Sequence, residues 1–226
     1  MLGGMSAAGG VKPPKKRSKS RGSTSVAFDG VDDFISVSDF TWVTTGNFAI
    51  SVWFKYVDSS QVETLFGQAP DKSSLIDLKK NSLNQIIFEA TVGGSNIIAL
   101  ATTTVADNPG QWYHVVVSVD RSSASDSVIY IDGVQATMGT QIITNTTALL
   151  NLPNDISIGA LSTYFNGRIK EFTFYDKALS AREARSIFLN KARGGFHRSK
   201  LGKNMLMHLT MGDGKEDLSA TTVNDL

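Results

Sequence analysis

Along most of this chain, apolar and polar residues alternate in short runs separated by Gly, Asn, Asp, Pro and Ser. A period of two marks strands, and its recurrence every few residues between turn signals marks an all-β sandwich. The run at 112–119, Trp-Tyr-His-Val-Val-Val-Ser-Val, places Trp112, His114, Val116 and Ser118 on one face and Tyr113, Val115, Val117 and Val119 on the other. Both faces are mostly apolar, which predicts a central strand covered on both sides. A polar turn from Arg121 to Asp126 leads to a strand at 127–132 ending on Asp132-Gly133. That dipeptide signals a tight hairpin, because both central positions of a type I′ turn need positive φ. The same pattern predicts strands at 48–57, 62–67, 74–79, 84–91, 96–101, 155–159 and 165–175, with two short strands flanking Asp29-Gly30. The Thr/Asn-rich stretch 137–154 reads as an irregular loop or a weak strand.

One helix is predicted, over 181–190. Ser180 and Glu183 form a capping box, and Ala184, Ile187 and Phe188 form the apolar stripe. Gly194-Gly195 ends that segment, and Met205–Met211 is a further apolar strand candidate.

Charge divides the chain more sharply than hydropathy does. Residues 1–22 carry Lys12, Lys15, Lys16, Arg17, Lys19 and Arg21 without an acid, a net +6. Residues 23–190 are net −7, residues 191–203 net +5 and residues 204–226 net −3. The expected organisation is a disordered basic arm over 1–24, one sandwich over 25–190, a basic linker over 191–203 and an extension over 204–226 holding a sheet-completing strand. An arm of this kind is a solvated tail, a contact to nucleic acid or a neighbouring subunit, or a nuclear localisation signal; its cations neutralise phosphate irrespective of sequence. The chain has no cysteine, which excludes disulfides and thiolate sites. No stretch reads as a membrane span or a signal peptide.

Seven motifs in order carry a family resemblance: Phe28-Asp29-Gly30-Val31-Asp32-Asp33-Phe34, Phe48 to Trp53, Trp112-Tyr113-His114, Tyr130-Ile131-Asp132-Gly133, Ile158-Gly159, Phe165 to Phe172, and Tyr175 to Glu183. Over about residues 25–190 the chain resembles the laminin-G-like branch of the concanavalin A-like lectin/glucanase superfamily. The resemblance implies a two-sheet antiparallel jelly roll, inner positions filled by Trp53, Trp112 and Phe172, and a helix packed at one end. It also implies a module that binds glycans or proteins on bacterial, phage or virion surfaces. In two respects the chain departs from the family. The usual opening strand is missing ahead of Phe28, while a matching string, Leu206-Met-His-Leu-Thr-Met-Gly-Asp, stands near the C-terminus.

The candidate chemistry is sparse. Glucanases of this fold class carry a Glu-x-Asp-x-Glu type run on one strand, and Glu63, Glu89, Glu171, Glu183 and Glu216 fall in none. Asp77, on a short strand, has no glutamate partner nearby, and His114, His197 and His208 are dispersed, with His114 read as a structural histidine of the sheet. The resemblance implies calcium at the sandwich edge, with Asp29, Asp32, Asp33 and Asp176 as its ligands; the competing reading makes the first three turn residues bonded to backbone amides. Stacking on sugar rings requires exposed aromatics, for which Trp42, Tyr56 and Tyr164 are the candidates against core packing. Asn145-Thr146-Thr147 is a formal glycosylation acceptor.

These readings converge on a non-catalytic structural or binding module. The first expectation is a phage or virus capsid-associated protein, assembled with other subunits as a homo-oligomer, located on the virion or an extracellular surface. The alternative is a bacterial glycan-binding adhesin module, and a glycoside hydrolase comes third.

Overall fold

The computed structural model describes residues 25–38, 46–71, 73–144, 155–192, 204–209, 211 and 221–224. Its strands form two antiparallel sheets. One runs β1 (Val26–Asp29), β13 (Asn166–Tyr175), β3 (Phe48–Tyr56), β8 (Tyr113–Val119), β9 (Val128–Ile131) and β10 (Val134–Gln135), with β14 (Met205–Leu209) also on β13. The other runs β11 (Met138–Ile143), β7 (Ser95–Val105), β6 (Gln85–Val92), β5 (Ser74–Lys80), β4 (Glu63–Asp71), β12 (Ile156–Ile158), β2 (Phe34–Val37) and β15 (Thr221–Asn224).

Strand alternation builds the core. From β8, Tyr113, Val115, Val117 and Val119 face inward. They meet Phe54, Phe66, Ile76, Leu78, Phe88 and Leu100 from neighbouring and facing strands. Phe66 lies against Phe172 and Phe174 with ring centroids 5.4 and 5.3 Å apart, so the two sheets interlock through aromatic edges. All of β8 is nevertheless buried, because helix α1 (Ala181–Ala192) covers part of its other face. There Ala49, Val116, Val128, Tyr130, Tyr175, Leu179 and Ala184 form a second, smaller core. The Ser180–Glu183 capping box is present: the Ser180 amide donates to Glu183 Oε2 at 2.9 Å, and the Glu183 amide to Ser180 Oγ at 3.4 Å.

The Asp132-Gly133 turn joins β9 to β10 with φ of 52° and 74° at its two residues, the signs a type I′ turn requires. Glycine also answers a second constraint there. A Cβ on Gly133 would stand 3.0 Å from Arg185 Cα and 3.1 Å from Phe188 Cβ, so any larger residue would push the helix off the turn by a few tenths of an ångström.

Three expectations need correction. Trp112 does not fill the sandwich; it precedes β8 on the outward parity and is half-buried. Trp53 is buried, but on the outer face, where Phe188 of the helix stacks on it at 5.5 Å. The helix therefore lies over a sheet face and not at one end of the sandwich, and of the three expected inner residues only Phe172 joins the main core. Within 137–154, Met138–Ile143 pairs with β7 as an edge strand; residues 145–154 lie outside the described residues.

Two strands lie end to end along the same edge of β13. β1 pairs with residues 166–169, and β14 pairs with 172–175 through Phe172↔Leu209 and Phe174↔Met207. Met207, Leu209 and Met211 enter the main core.

Candidate functional site

The turn between β1 and β2 gathers Asp29, Asp32 and Asp33. Asp29 Oδ1 accepts the amides of Val31 at 2.8 Å and Asp32 at 3.4 Å, and Asp33 Oδ2 accepts the Asp29 amide at 2.9 Å. The carboxylates thus shape the turn. One ligand atom from each also lies within 4.8 Å of the others. Oxygens so spaced fit around one Ca²⁺, which holds its ligands at roughly 2.3–2.6 Å. Asp176 is not part of the group; its carboxylate accepts Asn204 Nδ2 at 2.8 Å after β13.

The outer face of the eight-stranded sheet carries a depression of about 480 Å³. Phe34, Ser36, Gly67, Asp155, Ser157 and Leu161 line it. The Ser36 hydroxyl donates to Asp155 Oδ2 at 3.0 Å. Leu161 lies so close over β4 that a Cβ on Gly67 would stand 2.5 Å from it. Thr163 of the same loop reaches the Thr64 hydroxyl at 3.2 Å, and Tyr164 beside it is 42% exposed. On the same sheet Lys79 bridges Asp77 at 3.0 Å and Glu89 at 2.8 Å. Asp77 therefore does have a glutamate neighbour, across the strand pair and not along the sequence. Burial pushes the Asp77 carboxyl up, with Lys79 opposing.

The outer face of the seven-stranded sheet has a different character. At the end away from the smaller core, Lys55 and Arg168 lie side by side on β3 and β13, and Lys170 lies beside Trp53. The Lys170 ammonium stands 4.3 Å from the Trp112 ring centre and 5.2 Å from that of Trp53, and Lys55 stands 5.7 Å from Trp112. Next to them opens a cleft of about 500 Å³ whose lining includes Lys55, Pro109, Asn166 and Arg168. His114 is fully buried between Trp53 and the helix, with Nε2 2.9 Å from Ser51 Oγ, which is the structural place expected for it.

Tyr56 does not stack on a ligand. It is fully buried, its hydroxyl donates to the Ala106 carbonyl, and burial pushes its pKa up to about 12. Trp42 and the basic residues Lys12, Lys15, Lys16, Arg17, Lys19 and Arg21 lie outside the described residues. Sequence reasoning misses the pairing of Lys55 and Lys170 with Trp112 because it crosses three strands. Its one local signal is that Trp53 and Lys55, two apart, share a face.

The laminin-G family model described as concanavalin A-like lectin/glucanases superfamily matches residues 29–185. The chain belongs to that superfamily. No curated protein matches the sequence. Among solved structures, the lectin/glucanase fold is shared with the heptameric SAP-like pentraxin of Limulus polyphemus, at 13% identity and a TM-score of 0.57, covering 76% of this chain and 83% of that one. It is shared with the CBM40 of the Ruminococcus gnavus IT-sialidase bound to α2,3 sialyllactose, at 11% identity and a TM-score of 0.52, covering 74% and 99%. It is shared too with mouse laminin α1 domains LG4-5, at 16% identity and a TM-score of 0.52, covering 71% and 43%. At these identities the likeness is one of fold. Among the described residues, no helix of this superfamily member is long and apolar enough to cross a membrane.

Proposed function

We propose that the chain is a non-catalytic carbohydrate-binding module that takes a neutral sugar in the depression on the eight-stranded sheet. The observation that carries this reading is the mixture lining that depression: Ser36, Ser157 and Asp155 beside Phe34 and Leu161. A sugar ring offers hydroxyls that donate and accept and an apolar C–H face, and a shallow site for it needs both kinds of wall. A fold-mate in complex with the neutral oligosaccharide arabinotriose, domain 4 of an extracellular arabinanase, supports the reading by analogy. Its test is titration of the chain with a panel of neutral oligosaccharides, repeated with Asp155→Ala and Leu161→Ala. Affinity should fall about tenfold, ~1.4 kcal/mol, for each variant, with an unchanged melt. Tyr164→Ala asks whether the exposed ring extends the site. Equal affinity of Asp155→Ala, Leu161→Ala and the parent chain would overturn the reading.

Charge favours a second reading, a subunit of a virus or phage particle or another surface assembly. Six cations without an acid over residues 1–22 suit contact with nucleic acid or a neighbouring subunit. An arm that neutralises six phosphates gives log K against log salt a slope of roughly −5. Co-sedimentation with particles supports this reading; a salt-independent monomer that never co-sediments refutes it.

A further inference from the structure

We propose that the outer face of the seven-stranded sheet, where Lys55, Lys170 and Arg168 gather around Trp112 beside a cleft, binds an oxyanion carried on a saccharide, either a carboxylate or a sulfate. This site lies on a different sheet from the neutral-sugar depression, so each stands without the other.

Strand register makes the cluster. Ile169 and Phe54 point into the core, so their neighbours Arg168, Lys170, Trp53 and Lys55 point out. Arg168 is opposite Lys55, and Lys170 is opposite Trp53. Three cations on adjacent outward positions repel one another, and folding neutralises like groups elsewhere. Lys79, Lys80 and Lys177 each hold a carboxylate. Lys55 and Lys170 form no ion pair with a described residue; their ammoniums rest on tryptophan rings instead. A ring offsets roughly 0.5–2 kcal/mol of a cation's lost hydration and leaves its charge in place. Burial pushes Lys170 below the ordinary lysine range, the direction an arriving anion reverses. Arg168 is exposed and anchored by bonds to the Ser25 hydroxyl at 2.8 Å and the Ser25 carbonyl at 2.9 Å.

A second observation falls at the same place. The Trp53 indole N–H is buried and meets no acceptor among the described residues, although Trp53 is only 6% exposed. Buried donors nearly always have partners. The Lys170 ammonium stands over this ring, 5.2 Å from its centre, so an oxyanion that Lys170 binds arrives beside the indole. The adjoining cleft, about 500 Å³, has the size of a small-ligand site.

A saccharide fits better than a nucleic acid. Residues 23–190 are net −7, so a strand of closely spaced phosphates is repelled by the body around the three cations. Base stacking needs a bare ring, and Lys170 already covers Trp112. A sugar bearing one isolated charge meets neither obstacle.

The test uses the full chain with ¹⁵N-labelled tryptophan. The indole N–H resonances are assigned with Trp53→Phe and Trp112→Phe, and followed during titration with galacturonate, sulfated galactose, neutral galactose and a short single-stranded oligonucleotide. The basic N-terminal segment carries no tryptophan, so binding there leaves these resonances still. Galacturonate, sulfated galactose or both should shift the Trp53 and Trp112 resonances while galactose does not, and the responding sugar identifies the anion. Lys55→Gln with Lys170→Gln should weaken that binding by about tenfold or more at an unchanged melt, and Lys170→Arg should retain it. Should the double variant not fold, retention by Lys170→Arg and loss by Lys170→Gln decide the question in its place. Equal shifts with galactose, silent resonances with both anions, undiminished affinity in the glutamine variants, or tighter binding of the oligonucleotide at these resonances would each overturn the proposal.

Discussion

Buried ionisable side chains shape how this sandwich responds to pH. Glu63 and Lys80 are buried together, their charged atoms 3.6 Å apart. Lys80 also donates to the Gln61 carbonyl at 2.7 Å and stands 4.7 Å from the Tyr56 ring centre. Desolvation outweighs the lysine's attraction and pushes Glu63 up to about 7. A carboxyl raised on folding contributes stability that is fully present below its unfolded pKa and is lost as pH rises through its folded one. Chemical denaturation should therefore show stability falling between about pH 4.5 and pH 7, and Glu63→Gln should flatten that slope. Asp77, raised in the same direction, adds a second slope that Asp77→Asn removes. Side-chain parity decides another comparison. Phe172 is fully buried between the sheets and Trp112 is half-buried outside them. Phe172→Ala should cost about 3–5 kcal/mol, and Trp112→Ala about 1–2 kcal/mol because much of that ring already meets water. Equal losses would place Trp112 in the core after all.

Among the elements, the β1–β2 turn makes the clearest prediction. Asp29 and Asp33 each spend an oxygen on backbone amides, yet the three carboxylates still converge. Calcium bound there should raise the melting temperature by mass action, chelator should lower it, and Asp32→Asn should abolish the difference. A melt indifferent to chelator leaves the group a turn device and nothing more. This turn is legible in the sequence because its residues are neighbours along the chain. So are the long strands, whose alternation is local, and the helix, whose capping box spans four residues. Contacts between distant strands are not legible. Nothing local to Asp77 announces Glu89 opposite it, and nothing local to Lys170 announces Trp112 two strands away. Parity places Trp112 on the His114 side, where the structure has it; the family resemblance is what put it inside the sandwich. Tyr56 resembles a loop aromatic in the sequence because it closes a strand, and no neighbour along the chain announces the buried cation under its ring.

At the scale of the whole molecule, the sandwich is closed by residues far apart in the chain. β13 is the long seam of the seven-stranded sheet, with β3 along one edge and β1 and β14 in series along the other. Met207 and Leu209 bring 6% and 1% exposed side chains into the main core, and His208 faces outward with Nδ1 2.8 Å from Thr173 Oγ1 and Nε2 3.2 Å from Glu171. Removing residues 204–226 would uncover Phe172 and Phe174 and leave half of β13 as an unpaired edge, and such edges template aggregation. Leu209→Ala alone should cost about 2–5 kcal/mol, a large part of a typical domain's stability. We therefore expect the chain lacking residues 204–226 to be insoluble or to melt far lower, and a peptide of 204–226 to restore it. Solution mass decides whose sheet is completed: a monomer keeps its own strand, whereas a dimer that dissociates only on unfolding has exchanged strands with its partner. A truncated chain with the melt and mass of the full one would remove β14 from any part in holding the sandwich together.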